Sequence, residues 1–197
     1  AAARRTEAEI VSGPYLKFFT TSTWDTRSSF SSLYSTEIAA VDLCALPQMS
    51  RHRAIWNRLF RRDFWADNAF PFPGVPRSND IVPFISALTA ASRVTIVPDV
   101  VYVYRDRPGL GSMTSGAGTE SYTLSYFAEE LTCAQLLRQG EGIAVVSEYW
   151  DMVLNADGWG NLVRYLQNLN SADEVTSKVP EVLRQILALV PDEEFNS

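Results

Sequence analysis

The sequence predicts an α/β domain over residues 1–115 followed by a small α-helical region over residues 116–197. Short apolar runs rich in β-branched residues, broken by Pro and Gly, alternate with helix-period stretches up to Thr114. From Glu120 onward the strand signal disappears and apolar residues recur at helical spacing. Gly116 and Gly118, within Ser115-Gly116-Ala117-Gly118, mark the boundary between the two patterns.

Taken in order, Ala1 to Glu9 reads as the last turns of a helix, Ile10 to Ser12 as a short buried strand, and Tyr15 to Phe19 as an extended continuation past Pro14. The Ser/Thr-dense stretch from Thr20 to Ser35 has no clear period and reads as a loop. Glu37 to Leu46 is expected as a short helix ended by Pro47, Ala54 to Phe60 as a strand, and Arg61 to Asn68 as a helical turn. Pro71, Pro73, Gly74 and Pro76 impose a turn-rich loop. Ser78 and Asn79 offer side-chain oxygens to cap a helix that starts near Asp80 and buries Ile81, Phe84, Ile85 and Leu88, with Pro83 in its first turn. Val94 to Val97 and Val100 to Tyr104 are strands separated at Pro98-Asp99. In the helical region, the apolar faces are Leu124/Phe127/Leu131/Ala134, Ile143/Val146/Trp150/Val153, Leu162/Tyr165/Leu166/Leu169 and Val182/Ile186/Leu189. Trp150, Trp159 and Tyr165 are large groups expected to be buried, which points to association of these helices with the α/β part or with a second copy in a homo-oligomer.

Composition narrows the function classes. A net charge of −6 argues against a nonspecific nucleic-acid binder, which needs cations to neutralise phosphates. Arg51, Arg53, Arg58, Arg61 and Arg62 are nevertheless clustered, either as a solvated face or facing an anionic ligand. Cys44 and Cys133 form no metal-ligand or disulfide pattern, which fits a reducing cytoplasm. No apolar run approaches the roughly twenty residues that span a bilayer, so a cytoplasmic location, peripheral at most to the inner face of the membrane, is expected. The start at Ala1, within a helix end, leads us to expect a longer protein.

Two groups of residues carry chemistry. Asp80 stands at a loop-to-helix step, where the helix N-terminus favours an ionised carboxylate. Such a group is either a general base or a simple cap. Arg105, Arg107, Ser112 and Thr114 follow the last strand on a Gly109/Gly111 loop, and arginines with hydroxyls suit either a departing diphosphate or a solvated turn. Trp56 and Trp65 have faces that a sugar could cover, although aromatic residues of this kind also build cores. His52, the single histidine, reads as a surface residue rather than a metal ligand.

The order of these elements from Ala54 to Thr114 resembles the acceptor-side half of family 2 glycosyltransferases, the inverting GT-A (Rossmann-like) enzymes. The matching segments are Trp56-Asn57-Arg58-Leu59-Phe60-Arg61-Arg62-Asp63-Phe64, Phe72-Pro73-Gly74, Ser78-Asn79-Asp80-Ile81-Val82-Pro83-Phe84, Val97-Pro98 through Tyr102-Val103-Tyr104-Arg105, and Arg107-Pro108-Gly109 with Ser112-Met113-Thr114. The resemblance extends over residues 1–115. It implies Asp80 as the catalytic base, Arg105, Arg107, Ser112 and Thr114 as diphosphate ligands, and Trp56, Asn57 and Asn79 as acceptor-side residues. Asn79 stands where the family has Glu.

It further implies a bacterial transferase of polysaccharide or cell-wall biosynthesis. Its partners would be a nucleotide-sugar donor and a hydroxyl on a glycan, wall polymer or other macromolecule. The chain has no D-x-D sequence, so the divalent Mg or Mn of the family would take its ligands mainly from an N-terminal catalytic half outside this chain, and the chain alone is expected to be inactive. A noncatalytic binding or assembly module that keeps the fold is the alternative, favoured by Asn79 and the missing D-x-D and opposed by Asp80, Arg105 and Ser112.

Overall fold

A computed structural model describes residues 1–70, 72–105, 116–138, 142–169 and 177–195. The opening helix α1 (Ala2–Thr6) ends at Glu7, which turns through left-handed backbone into β1 (Ile10–Ser12). Ile10 and Ser12 are buried, and the chain passes through Gly13-Pro14 into β2 (Tyr15–Phe18). Expectation and structure agree to this point. The Ser/Thr-rich stretch, expected as a loop, instead contains β3 (Thr23–Asp25), a 3-10 turn and the short helix α2 (Ser31–Tyr34). Its anchor is Thr26, whose hydroxyl donates to the Tyr15 carbonyl at 2.6 Å and accepts from the Tyr15 amide at 3.1 Å.

Residues 37–46 are not a helix. They form β4 (Ile38–Val41) and a turn, because pairing with β6 (Val94–Ile96) overrides the local propensity. Ala40 takes a positive φ of 52° at an irregularity between Ile38 and Val41, and its amide donates to Thr95 Oγ1 at 3.1 Å. The strand expected over 54–60 shortens to β5 (Arg58–Phe60), followed as expected by α3 (Arg62–Asn68). Helix α4 (Ile81–Ala90) buries Ile81, Phe84, Ile85 and Leu88, leads into β6, and β7 (Tyr102–Arg105) follows beyond the Pro98-Asp99 bend.

The strands form a four-stranded sheet of order β4-β6-β1-β5 and a three-stranded sheet of order β3-β2-β7. β1 runs parallel to β6 with Ile10 opposite Val94, and antiparallel to β5 with Ile10 opposite Phe60. β2 runs parallel to β7 with Tyr15 opposite Tyr102. β1 and β2 therefore carry the chain from one sheet into the other at Gly13. The bend allows close approach there, since a Cβ on Gly13 would lie 3.0 Å from the Asp99 carbonyl oxygen.

Four helices complete the described chain: α5 (Glu120–Leu137), α6 (Ile143–Asp151), α7 (Asp157–Asn168) and α8 (Val179–Leu187). Thr119 caps α5 through its side chain, accepting from the Tyr122 amide. Phe84, Ile85 and Leu88 of α4 belong to the same buried cluster as Tyr126, Phe127, Trp150, Val153 and Ile186, so the helices pack directly on the α/β part. Trp150 and Tyr165 are buried as expected, whereas Trp159 is 55% exposed, on the solvent side of α7.

Between α6 and α7 the backbone widens into a π-helical stretch, Met152–Ala156, and Gly158 sits where that stretch closes. A Cβ on Gly158 would lie 2.1 Å from the Val153 carbonyl oxygen and 2.9 Å from its carbon. Because that obstacle is backbone, Gly158→Ala is expected to destabilise the fold by about 1–3 kcal/mol, read as a lower urea midpoint. An unchanged midpoint would mean that the π-helical stretch relaxes freely.

Candidate functional site

Asp80 lies at the loop-to-helix step that the sequence indicated. It occupies the N-cap position of α4 with φ −97° and ψ −15°, and its side chain makes no capping bond. Ser78, which has a φ of 61°, contributes its backbone carbonyl to the Ile81 amide at 3.1 Å, in place of the expected side-chain cap. A half-buried carboxylate not used in capping is thus held at the head of a buried helix.

The electrostatics of Asp80 reverse one expectation. Burial raises its pKa above the ordinary carboxylate value, and this outweighs the opposing pull of its own and the Ile55 amide groups and of Arg53 and Arg58. The helix terminus and two arginines keep it ionisable; desolvation makes it a stronger base.

The loop between the Pro47–Ser50 3-10 turn and β5, together with the first residue of β5, supplies the Ile55 amide, Arg53 and Arg58 that act on Asp80. Arg58 donates to the carbonyls of His52 and Ala54 and to Asn57 Oδ1, and its guanidinium lies over the Phe84 ring at 4.2 Å. Burial lowers its pKa, while Tyr34, Tyr15 and Asp80 pull it back up. His52 is not a surface residue. It is 5% exposed, between Tyr15 and Phe30 at ring-centroid distances of 5.6 and 4.7 Å, with Nδ1 2.5 Å from the Tyr34 hydroxyl. The Tyr34 hydroxyl in turn lies 3.1 Å from Ser12 Oγ. Burial and the neighbouring Arg58 push the His52 pKa well below its ordinary 6.5, so the imidazole is a neutral core group.

The other sequence candidates are placed as follows. Trp56 packs with Tyr15, Tyr102 and Tyr104 at centroid distances of 4.3, 4.8 and 5.3 Å, forming an aromatic group where β2 and β7 meet the loop. Trp65 packs separately, with Phe60 and Phe70. Asn57 is buried, and its amide donates to the Gly13 carbonyl at 2.6 Å, which fixes the bend between the sheets. Asn79 is half-buried beside Asp80. Arg105 ends β7 and is exposed. Arg107, Ser112 and Thr114 lie outside the described residues.

The arginine cluster divides by environment. Arg53 and Arg58 turn inward, Arg51 pairs with Glu148 at 3.1 Å and Asp151 at 2.5 Å, and Arg61 and Arg62 are exposed. Arg53 is buried against fully buried Glu130 and also donates to Asp157 Oδ2 at 2.8 Å and Tyr126 Oη at 3.2 Å. Sequence reading named Arg53 within the arginine cluster but not its buried pairing, and missed Arg77, Tyr34 and Glu130. The dense arginines were the only signal, and the groups that Arg53 and Arg77 meet lie far along the chain.

No protein-family model matches the chain, and no curated protein matches it. Solved structures do. S. aureus TarS residues 1–349 with UDP-GlcNAc superposes at a TM-score of 0.74 and 13% identity, over 98% of this chain and 53% of that one. The fold is that of a glycosyltransferase. The same TarS segment with UDP gives 0.66 at 12% identity, covering 98% of this chain and 51% of that chain, and without a named ligand 0.65 at 10%, covering 98% and 50%. The chain therefore spans about half the length of the TarS chains it matches.

Proposed function

We propose that the chain is the acceptor side of an inverting family 2 glycosyltransferase of GT-A fold, with Asp80 as the general base. The observation that carries this reading is a half-buried carboxylate at the head of α4, unused as a cap and with its pKa raised by burial. TarS crystallised with UDP-GlcNAc and with UDP, which supports a UDP-sugar as donor.

In the proposed step, the acceptor hydroxyl oxygen forms a bond to the anomeric carbon while the bond from that carbon to the diphosphate breaks. The electron pair leaves with UDP, and the hydroxyl proton passes to Asp80. Arg105, with Arg107, Ser112 and Thr114, would meet the charge that develops on the diphosphate. The Trp56 aromatic group and Asn79 would border the acceptor, a hydroxyl on a glycan or wall polymer. In this reading the reaction takes place on the cytoplasmic side, and no described helix is long and apolar enough to cross a membrane.

A divalent cation bridging the diphosphate needs a close set of hard oxygen ligands. Among the described residues there is no group of three or more His, Cys, Asp or Glu that could hold a metal ion, and in this reading the ion takes its protein ligands mainly from elsewhere in a longer protein. Titration calorimetry of the chain with UDP-GlcNAc and Mg²⁺ or Mn²⁺ is expected to show weak binding or none. A tight, metal-dependent complex would place the donor site inside this chain. The noncatalytic alternative rests on Asn79 and the missing D-x-D, and retained transfer by the full-length protein would remove it.

A further inference from the structure

Both chain segments that shape the surroundings of Asp80 are hooked by an arginine to the same two helices. The first segment, residues 51–57, brings the Ile55 amide and Arg53 to act on Asp80. Its hook is Arg53, which reaches Glu130 on α5 and Asp157 on α7. The second, residues 75–80, carries Asp80 itself. Its hook is Arg77, three positions before Asp80: its guanidinium lies 3.5 Å from the centre of the Tyr122 ring on α5, and its Nη1 donates to Asn161 Oδ1 on α7 at 2.7 Å. The Arg77 backbone is held as well, its amide donating to Ser125 Oγ at 3.1 Å and its carbonyl accepting from the same hydroxyl at 2.8 Å.

The helical spacing makes this a single device. Ser125 and Tyr126 stand three and four residues after Tyr122, and Glu130 four after Tyr126, so the set shares one face of α5. Asp157 and Asn161 stand four apart on α7, and Asn161 Nδ2 ties back to the Asp157 carbonyl at 2.9 Å. α5 thus presents Glu130 and Tyr126 to Arg53 and Tyr122 and Ser125 to the Arg77 segment, while α7 presents Asp157 to the first and Asn161 to the second.

We propose that the helical region positions the base: α5 and α7 fix the two segments flanking Asp80 relative to each other, with Arg53 and Arg77 as positioning residues. This rests on Asp80 being the base. A misplacement of the reacting geometry by about 1 Å costs on the order of 100-fold in rate, so a brace of this kind has catalytic consequences without touching substrate. Arg77 makes both a cation–π contact with Tyr122 and a hydrogen bond to Asn161, a combination suited to the planar guanidinium.

The test uses Arg77→Gln, Tyr122→Leu and the conservative Tyr122→Phe. In the chain itself, ¹³C NMR of the Asp80 carboxyl follows its titration. The groups acting most on that carboxylate are burial, two backbone amides, Arg53 and Arg58. A moved Asp80 midpoint in the Arg77→Gln and Tyr122→Leu variants, with Tyr122→Phe like the parent, therefore reports changed geometry. In the full-length protein, UDP release from UDP-GlcNAc is expected to show kcat lowered about 10- to 100-fold in the first two variants with the donor KM unchanged, and near-parent kcat for Tyr122→Phe. An unmoved midpoint, or a kcat loss that only tracks loss of folded protein, overturns the brace. Asp80→Asn run alongside separates the two readings: full turnover there removes the base itself, whereas a dead Asp80→Asn beside a fully active Arg77→Gln removes only the positioning.

Discussion

Replacing Asp80 by Asn in the full-length protein should abolish most transfer, by a factor on the order of 10²–10⁴, the usual contribution of a positioned general base. Donor binding and folding should persist, since the side chain caps nothing. Stability gives an independent readout. The pKa of Asp80 is raised in the folded state, so the fold binds its proton more tightly than the unfolded chain does. The stability contribution is therefore fully present below the ordinary carboxylate pKa and is lost as pH rises through the higher folded value. At neutral pH the ionised carboxylate costs stability, and Asp80→Asn should unfold at an equal or higher urea concentration than the parent, with the gain vanishing in acid. A variant that is inactive yet no less stable is the pattern of a residue kept for chemistry. Unchanged turnover would remove Asp80 from the mechanism. Activity of the parent should also fall, as pH is lowered, through a midpoint above the ordinary carboxylate range, because only the ionised form accepts the proton.

The parts of the fold legible in the sequence are those whose local signals agree with their tertiary role. Helix α4 is one: the Pro/Gly-rich loop, Pro83 in the first turn and the Ile81/Phe84/Ile85/Leu88 stripe all specify the same helix, and they place Asp80 at its head. Strands β1, β2, β6 and β7 were legible for a similar reason. Residues 37–46 were not, because their Glu and Ala content favours a helix locally while pairing of Ile38 and Val41 with β6 decides the outcome. His52 was misplaced because a lone polar residue shows nothing of the partners that bury it: Tyr15, Phe30 and Tyr34 reach it from other segments. The same limit hid the brace. Arg53 and Glu130 are separated by 77 positions, and nothing in either neighbourhood indicates the other. The position of Asp80 was thus readable because its signals are local, whereas the contacts around it, which are long-range, were not.

That support leads to the largest expected stability effect. Arg53 and Glu130 are both buried, and Glu130 Oε2 also lies 2.9 Å from the Tyr149 hydroxyl. Removing Glu130 leaves the buried Arg53 charge with the half-exposed Asp157 carboxylate as its remaining counter-ion, so Glu130→Ala is expected to cost about 3–5 kcal/mol, a large share of the stability of an ordinary domain. Replacing both ions by apolar groups of similar volume, in Arg53→Met with Glu130→Leu, is expected to cost far less, because desolvation of two charges offsets much of their attraction. The Tyr149 hydroxyl stays satisfied in that double variant through the Glu130 backbone carbonyl, which lies 2.7 Å away and survives the substitution. Urea unfolding of the parent, the single variant and the double variant decides the matter. The double variant should recover most of the loss while its Asp80 titrates higher than in the parent, since the cation that pulled its pKa down is gone. If the single and double variants are equally destabilised, the pair's worth lies in packing rather than in charge. If the double variant is stable and Asp80 titrates as in the parent, Arg53 contributes nothing to the field at the base.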